Sequence, residues 1–204
     1  SFAEDSLTGI NIGTASATDP EGQTVTFSLS GTGSENFNVD SSGNISLVNS
    51  LDYETAKSYT LTLNASDGTN TTTSELIITV DDVNEAPSLS NSLAASSFAE
   101  NVSTGTTIAT ASATEPEGKT VTFSLSGTGS ENFSVDSSGN ISLVNELDYE
   151  TATSYTLALN ASDGTNTTTS ELIITVDDVN EAPSLSSSLA ASSFLENIAT
   201  GTTV

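Results

Sequence analysis

Apolar residues recur at every second position along this chain, in short runs separated by Gly, Asn, Asp and Ser. Within residues 24–29, Val25, Phe27 and Leu29 share one side; within 58–65, Tyr59, Leu61, Leu63 and Ala65 do the same. A period of two marks strands that bury one face. The runs predict seven strands: one ending near Ala3, then residues 10–18, 24–29, 37–39, 45–48, 58–65 and 74–80. Turns at 40–44 (Asp-Ser-Ser-Gly-Asn) and 67–70 (Asp-Gly-Thr-Asn) join the fourth strand to the fifth and the sixth to the seventh. Short strands joined by Gly/Asn turns read as an all-β fold, a seven-stranded antiparallel Greek-key sandwich. The abundance of Thr, Ser, Val and Ile agrees. The aromatics, one or two per strand pair, are read as core rather than as sugar-stacking platforms.

The pattern then repeats. Ser1-Phe2-Ala3-Glu4 returns as Ser97-Phe98-Ala99-Glu100 and as Ser193-Phe194-Leu195-Glu196, 96 positions on each time. Residues 1–96 and 97–192 differ at 13 positions, so they are tandem copies of one domain, joined end to end. The expected divisions are 1–86, lacking the start of its first strand, then 87–182, then 183–204 as the opening of a third repeat. Pro87 and Pro183 keep the chain extended at the joints. The expected whole is a window on a longer array.

Charge narrows the function. Against 27 acids stand two lysines, Lys57 and Lys119, with no arginine or histidine, for a net charge of -25 at pH 7. Nucleic acid and anionic membranes need basic patches, so neither is an expected partner. Without cysteine there is no disulfide framework or thiolate metal site. No apolar run is long enough to cross a bilayer and no signal peptide precedes Ser1, so direct membrane insertion is not expected. So acidic a chain invites a reading as disordered, which the regular apolar alternation disfavours.

The acids are placed selectively. Asp81-Asp82-Val83-Asn84-Glu85-Ala86-Pro87 follows the seventh strand, and Asp177-Asp178-Val179-Asn180-Glu181-Ala182-Pro183 repeats it. Seven reversing strands put the two termini of a repeat at opposite ends. The turn with Glu4 and the turn with Asp52 and Glu54 then lie beside the following linker. The loop with Glu115 and Glu117 and the turn opened by Asp163 approach the same linker from the next repeat. At the second joint the same reasoning gathers Glu100, Asp148, Glu150, Asp177, Asp178 and Glu181, while Asp19, Glu21 and Asp67 crown the first repeat. Nine of the thirteen acids in residues 1–96 belong to this pattern. Two carboxylates about 4 Å apart repel by ~1 kcal/mol in water and ~4 kcal/mol near a protein surface, so the cluster needs cations. Oxygen ligands without His or Cys suit Ca2+, which takes about 6–8 oxygens in flexible geometry. The expectation is one tight cluster at the first joint and two depleted half-sites flanking it.

At these motifs the chain resembles the cadherin repeat, in its bacterial cadherin-like form. Phe98-Ala99-Glu100-Asn101 is similar to the family's Glu-Asn at the first strand, and Thr18-Asp19-Pro20-Glu21-Gly22 to its Asp-x-Asp loop. Leu51-Asp52-Tyr53-Glu54 resembles Leu-Asp-Arg-Glu, and Ala65-Ser66-Asp67-Gly68 resembles Ala-x-Asp-x-Gly. The linker resembles Asp-x-Asn-Asp-Asn-x-Pro, one residue shorter, with Glu85 for an Asp and without the second Asn. The resemblance implies up to three Ca2+ ions per joint, adds Asn84 and Asn180 to the ligand set, and implies a chain stiffened into a rod. With no Trp, the adhesive tryptophan of vertebrate cadherins is absent.

The expected function is a calcium-rigidified extender in a long secreted or cell-surface adhesin or fibre, whose partners are neighbouring repeats. The alternative is a module binding cell-surface glycans or copies of itself through a sandwich face or loops. An enzyme is not expected: Asp52 and Glu54 form a pair of the kind glycosidases use, but it repeats at each joint without a groove-building insertion. Lys–Asn cross-links are not expected either, since Lys57 aligns with Thr153 and Lys119 with Gln23.

Overall fold

A computed structural model describes residues 1–93 and 97–186. The third repeat expected over 183–204, with its Glu196, therefore lies outside the described residues from 187 onward.

The first repeat contains β1 (Phe2–Ala3), β2 (Asn11–Thr14), β3 (Thr26–Ser30), β4 (Phe37–Val39), β5 (Asn44–Leu47), β6 (Ser58–Ser66) and β7 (Thr71–Asp81). They form two sheets, ordered β1-β7-β6-β3 and β2-β5-β4. The second repeat contains β8 (Ser88–Leu93), β9 (Phe98–Ala99), β10 (Thr107–Thr114), β11 (Thr122–Ser126), β12 (Phe133–Val135), β13 (Asn140–Leu143), β14 (Ser154–Ser162) and β15 (Thr167–Asp177). Its sheets run β11-β14-β15-β9 and β12-β13-β10-β8. Each repeat is thus a sandwich of two sheets, as the alternation predicts.

Period-two burial builds both cores. Tyr59 pairs with Ile78 and Leu61 with Leu76 across β6 and β7, facing inward. Phe37 meets Tyr59 edge to face at 5.3 Å between ring centres, and Phe133 meets Tyr155 likewise at 5.2 Å. The 40–44 turn requires its glycine. Gly43 sits at φ 85°, where a Cβ would collide with the Ala15 carbonyl.

Three features depart from the simple antiparallel reading. β1 pairs with β7, and β9 with β15, in parallel. Strand parity explains it: the first and seventh of seven reversing strands run the same way, and here they lie side by side. A turn of 3-10 helix (Ser34–Asn36) was not foreseen between the third and fourth strands. The second strand was expected over 10–18 but β2 stops at Thr14, whereas β10 runs on to Thr114. The difference lies in the partner, because β8 pairs along β10 from Ser88 to Leu93.

Candidate metal centre

The linker between the sandwiches is held from both sides. Just after β1, the Glu4 amide donates to the Asp81 carbonyl at 3.1 Å, which turns its side chain under the linker. That carboxylate is only 6% exposed. Its Oε1 accepts from the Val83 N–H at 2.7 Å and its Oε2 from the Tyr53 N–H at 2.6 Å. One side chain thereby ties the turn after β5 to the linker after β7. Glu100 repeats the arrangement with Tyr149 and Val179 at 2.8 and 2.7 Å, and these two donors hold its carboxyl below the usual range. The turn itself is closed by Asp52, whose oxygens accept from the Thr55 N–H and hydroxyl at 2.8 and 2.9 Å. Glu54 is carried on that turn.

From above, loops of the second sandwich grip the same linker. Asn84 Nδ2 donates to Asp163 at 2.7 Å, Asn166 Nδ2 donates to the Asn84 carbonyl at 2.8 Å, and the Glu85 N–H donates to Glu117 at 3.1 Å. Asp163 is fixed in turn by the N–H groups of Thr165 and Asn166, both at 2.6 Å.

Three groups of carboxylates interlock there. Glu4, Glu54 and Glu85 form one, Glu54, Asp82 and Glu117 the next, and Glu115, Glu117 and Asp163 the third; within each, one oxygen per residue lies within 4.8 Å of the others. With every carboxylate ionised, four oxygens at this joint, Asn84 Oδ1, Glu85 Oε2, Glu115 Oε1 and Glu117 Oε2, are buried without a hydrogen-bond donor. Buried oxygens left unpaired are costly, and every orphan here is a potential cation ligand.

The electrostatics agree. Glu85 is pushed up to about 7, first by its hydrogen bond to Glu117, then by burial and the charges of Glu4, Glu117 and Glu54. Glu117 is held at about 2 because Glu115 and Glu85 donate to it. Glu115 is raised, chiefly by its bond to Glu117. Glu54 is raised by burial and by Glu4, Asp82 and Glu117. Asp163 is lowered, first by Asn84. Crowding of like charges thus opposes full ionisation of Glu85, Glu115 and Glu54.

The second joint supplies Glu100, Asp148 and Glu150 as one group and Glu100, Asp178 and Glu181 as another. Glu181 is raised by burial and by the Glu100 and Glu150 charges. Among the described residues, Asn180 bonds within its own linker, to the Glu181 carbonyl at 3.2 Å.

Several expected residues stand apart. Asp81 and Asp177 belong to none of these groups. Alternation explains it: Val80 and Val176 face the core, so the next side chain points outward. Asp52 also lies outside the groups, its oxygens committed to the turn, although Asp148 joins one. Asp19, Glu21 and Asp67 join none; Asp19 accepts from the Gln23 N–H at 2.9 Å and Asp67 from those of Thr69 and Asn70. Sequence reasoning missed Asn166, which closes the 163–166 turn. The signal was its recurrence at the last position of both Asp-Gly-Thr-Asn turns.

The family model described as Cadherin domain matches residues 1–81 and 95–177. Over 195 residues the chain is 35% identical to the mouse Cadherin EGF LAG seven-pass G-type receptor 1, covering 88% of this chain and 6% of that protein. Human Cadherin-23 is 31% identical over 215 residues, covering 100% of this chain and 6% of the relative. The chain thus spans a small fraction of these relatives. Among solved structures, Protocadherin Gamma B2 extracellular cadherin domains 3–6 superposes with a TM-score of 0.63 at 26% identity, over 88% of this chain and 45% of that one. Human Protocadherin-24 EC1-2 shares the fold at a TM-score of 0.61 and 24% identity, over 87% of this chain and 94% of that one.

Proposed function

Because the chain belongs to the cadherin family, we propose that it is a calcium-rigidified extender of an extracellular, cell-surface adhesion protein, with Ca2+ bound at its joints. The observation that carries the reading is the set of four buried, unpartnered oxygens among three interlocking carboxylate groups at the linker. The donors are oxygens alone, which suits a hard cation with flexible coordination. Glu4, Glu54 and Glu85 would hold one ion, Glu54, Asp82 and Glu117 a second, and Glu115, Glu117 and Asp163 a third. A bound cation would supply the positive charge that lets these crowded carboxylates ionise together. The Glu54, Asp82 and Glu117 group draws on the first repeat, its linker and the second repeat, and it shares Glu54 with the first group and Glu117 with the third, so loading would fix one sandwich against the next. The partner of each repeat is then the repeat beside it. A catalytic role for Asp52 and Glu54 has little support, because the Asp52 oxygens are engaged by Thr55.

Extracellular calcium modules bind at roughly 10⁻⁴–10⁻³ M, so the sites would fill outside the cell and empty in cytosol. Small-angle scattering and thermal melting, with millimolar calcium and then with chelator, test the reading. The calcium-loaded chain is expected to be extended and stiff, and the chelated one flexible with a lower melting temperature. Identical profiles and melting temperatures would refute it.

A further inference from the structure

Eight Asn-x-Ser/Thr triplets lie along the chain, the acceptor pattern for an N-linked glycan in a secreted protein. A sugar on Nδ2 needs that nitrogen turned to solvent, and in six of the eight the fold turns it inward. Asn44 and Asn140 donate from Nδ2 to Asp40 and Asp136 at 2.9 and 2.8 Å, inside their own turns. Asn64 and Asn160 reach the neighbouring strand, to the Ser30 and Ser126 hydroxyls at 3.2 and 3.4 Å. Asn166 Nδ2 closes on the Asn84 carbonyl at 2.8 Å. Asn132 is half-buried, with Nδ2 facing the buried Gly129 and Oδ1 accepting from Asn145 at 3.2 Å. Asn70 is exposed, but it holds the position from which Asn166 grips a linker.

Asn101, in the triplet Asn101-Val102-Ser103, is placed differently. The Val102 N–H donates to the Ala99 carbonyl at 3.0 Å, so Glu100 and Asn101 are the two corner residues of a tight turn after β9. Asn101 and Ser103 are both exposed. Among the described residues, the hydrogen bonds of this segment end on the Ala99 and Ser103 carbonyls, which leaves the Asn101 and Ser103 side chains to solvent. The first repeat shows that a neighbouring sandwich does not cover this corner. There the Ser6 N–H donates to the Ala3 carbonyl at 3.0 Å, and Asp5 stands in the place of Asn101, exposed although the second sandwich abuts that joint. Asp5 also joins none of the carboxylate groups, so the corner lies beside the metal centre and outside it. Asp5-Ser6-Leu7 lacks the triplet; Asn101 in place of Asp5 and Ser103 in place of Leu7 create it.

We propose that Asn101 is the acceptor of an N-linked glycan, carried on the outer corner of the turn after β9. The donor is a lipid-diphosphate-linked oligosaccharide, and the Ser103 hydroxyl is the group by which the transferring enzyme recognises the acceptor. Asn101 Nδ2 attacks the anomeric carbon of the donor. The new bond from nitrogen to carbon forms as the bond from that carbon to the diphosphate oxygen breaks. The lipid diphosphate leaves with the electron pair, and the amide nitrogen gives up one proton to a base of the transferring enzyme.

Secretion of the chain from animal cells, followed by peptide mapping after enzymatic release of N-glycans, tests this. Release converts a glycosylated Asn to Asp and so marks the site. Asn101 is expected to be converted in most molecules, while the six asparagines held in the fold stay unmodified. Asn101→Gln and Ser103→Ala are each expected to lose this glycan with the melting temperature of the deglycosylated chain unchanged, and Ser103→Thr to keep it. Asp5→Asn/Leu7→Ser, which writes the triplet into the first repeat, is expected to add a second glycan at the equivalent corner. An unmodified Asn101 in the parent chain overturns the proposal. So does occupancy at the six held asparagines equal to that at Asn101, because the geometry would then not select the site. A first-repeat corner that stays bare with the triplet in place also overturns it, since the exposed turn would not make an acceptor.

Discussion

Glu4 and Glu85 show what single carboxylates do at the joint. Both Glu4 oxygens receive backbone N–H groups, so removing its charge leaves one donor without a partner. Glu4→Gln is expected to cost about 1–3 kcal/mol in chemical denaturation, whereas Asp5→Asn, at the exposed neighbour, changes little. Glu85 behaves in the opposite sense. Its folded value of about 7 lies above the ordinary carboxylate value of about 4.3, so its contribution favours the fold at low pH and is lost as pH rises through about 7. Melting temperatures of the chelated chain should therefore fall between about pH 5 and pH 8. Added calcium should flatten the decline, since the ion requires the ionised form; a chelated chain that gains stability across this window contradicts the assignment. Glu54→Ala should weaken calcium binding at the first joint in a titration and leave both sandwiches folded. Glu75→Ala, in β7 and outside the carboxylate groups of the described residues, should leave both calcium binding and the fold unchanged.

At the scale of elements, β8 adds Leu89 to the edge of the second core. Leu89→Ala should lower the stability of the second sandwich by about 1–2 kcal/mol, as for a half-buried leucine, read by thermal melting. Much of this architecture was legible because it is local. Alternation located β3 to β7, and counting seven strands assigned Glu4, Glu54, Glu117 and Asp163 to one joint. What stayed hidden depends on tertiary pairing. Ala15-Ser16-Ala17-Thr18 and Ala111-Ser112-Ala113-Thr114 are the same tetrapeptide, strand in one repeat and not in the other. Asp52 and Asp148 share a motif too, yet only Asp148 lies in a carboxylate group. Asp81, expected at the site from the density of acids, follows the buried Val80 and so faces outward, a placement alternation makes readable.

For the whole molecule, a net charge of -25 means the ion-free chain repels itself most strongly where its repeats meet. Monovalent salt should raise the melting temperature of the chelated chain as the screening length shrinks from about 30 Å at 0.01 M to about 8 Å at 0.15 M, with a smaller effect once calcium is bound. The parallel pairing of β1 with β7 has a further consequence. Tension along the chain pulls the start of β1 one way and the end of β7 the other, so the two strands are drawn past each other along their length. The Phe2–Val80 and Ala3–Asp81 pairs, and the Glu4 amide on the Asp81 carbonyl, then bear load together rather than parting one after another. The same parallel pairing recurs where β9 meets β15, with Glu100 on Asp177, although there β8 precedes β9 and its pairs with β10 take the pull first.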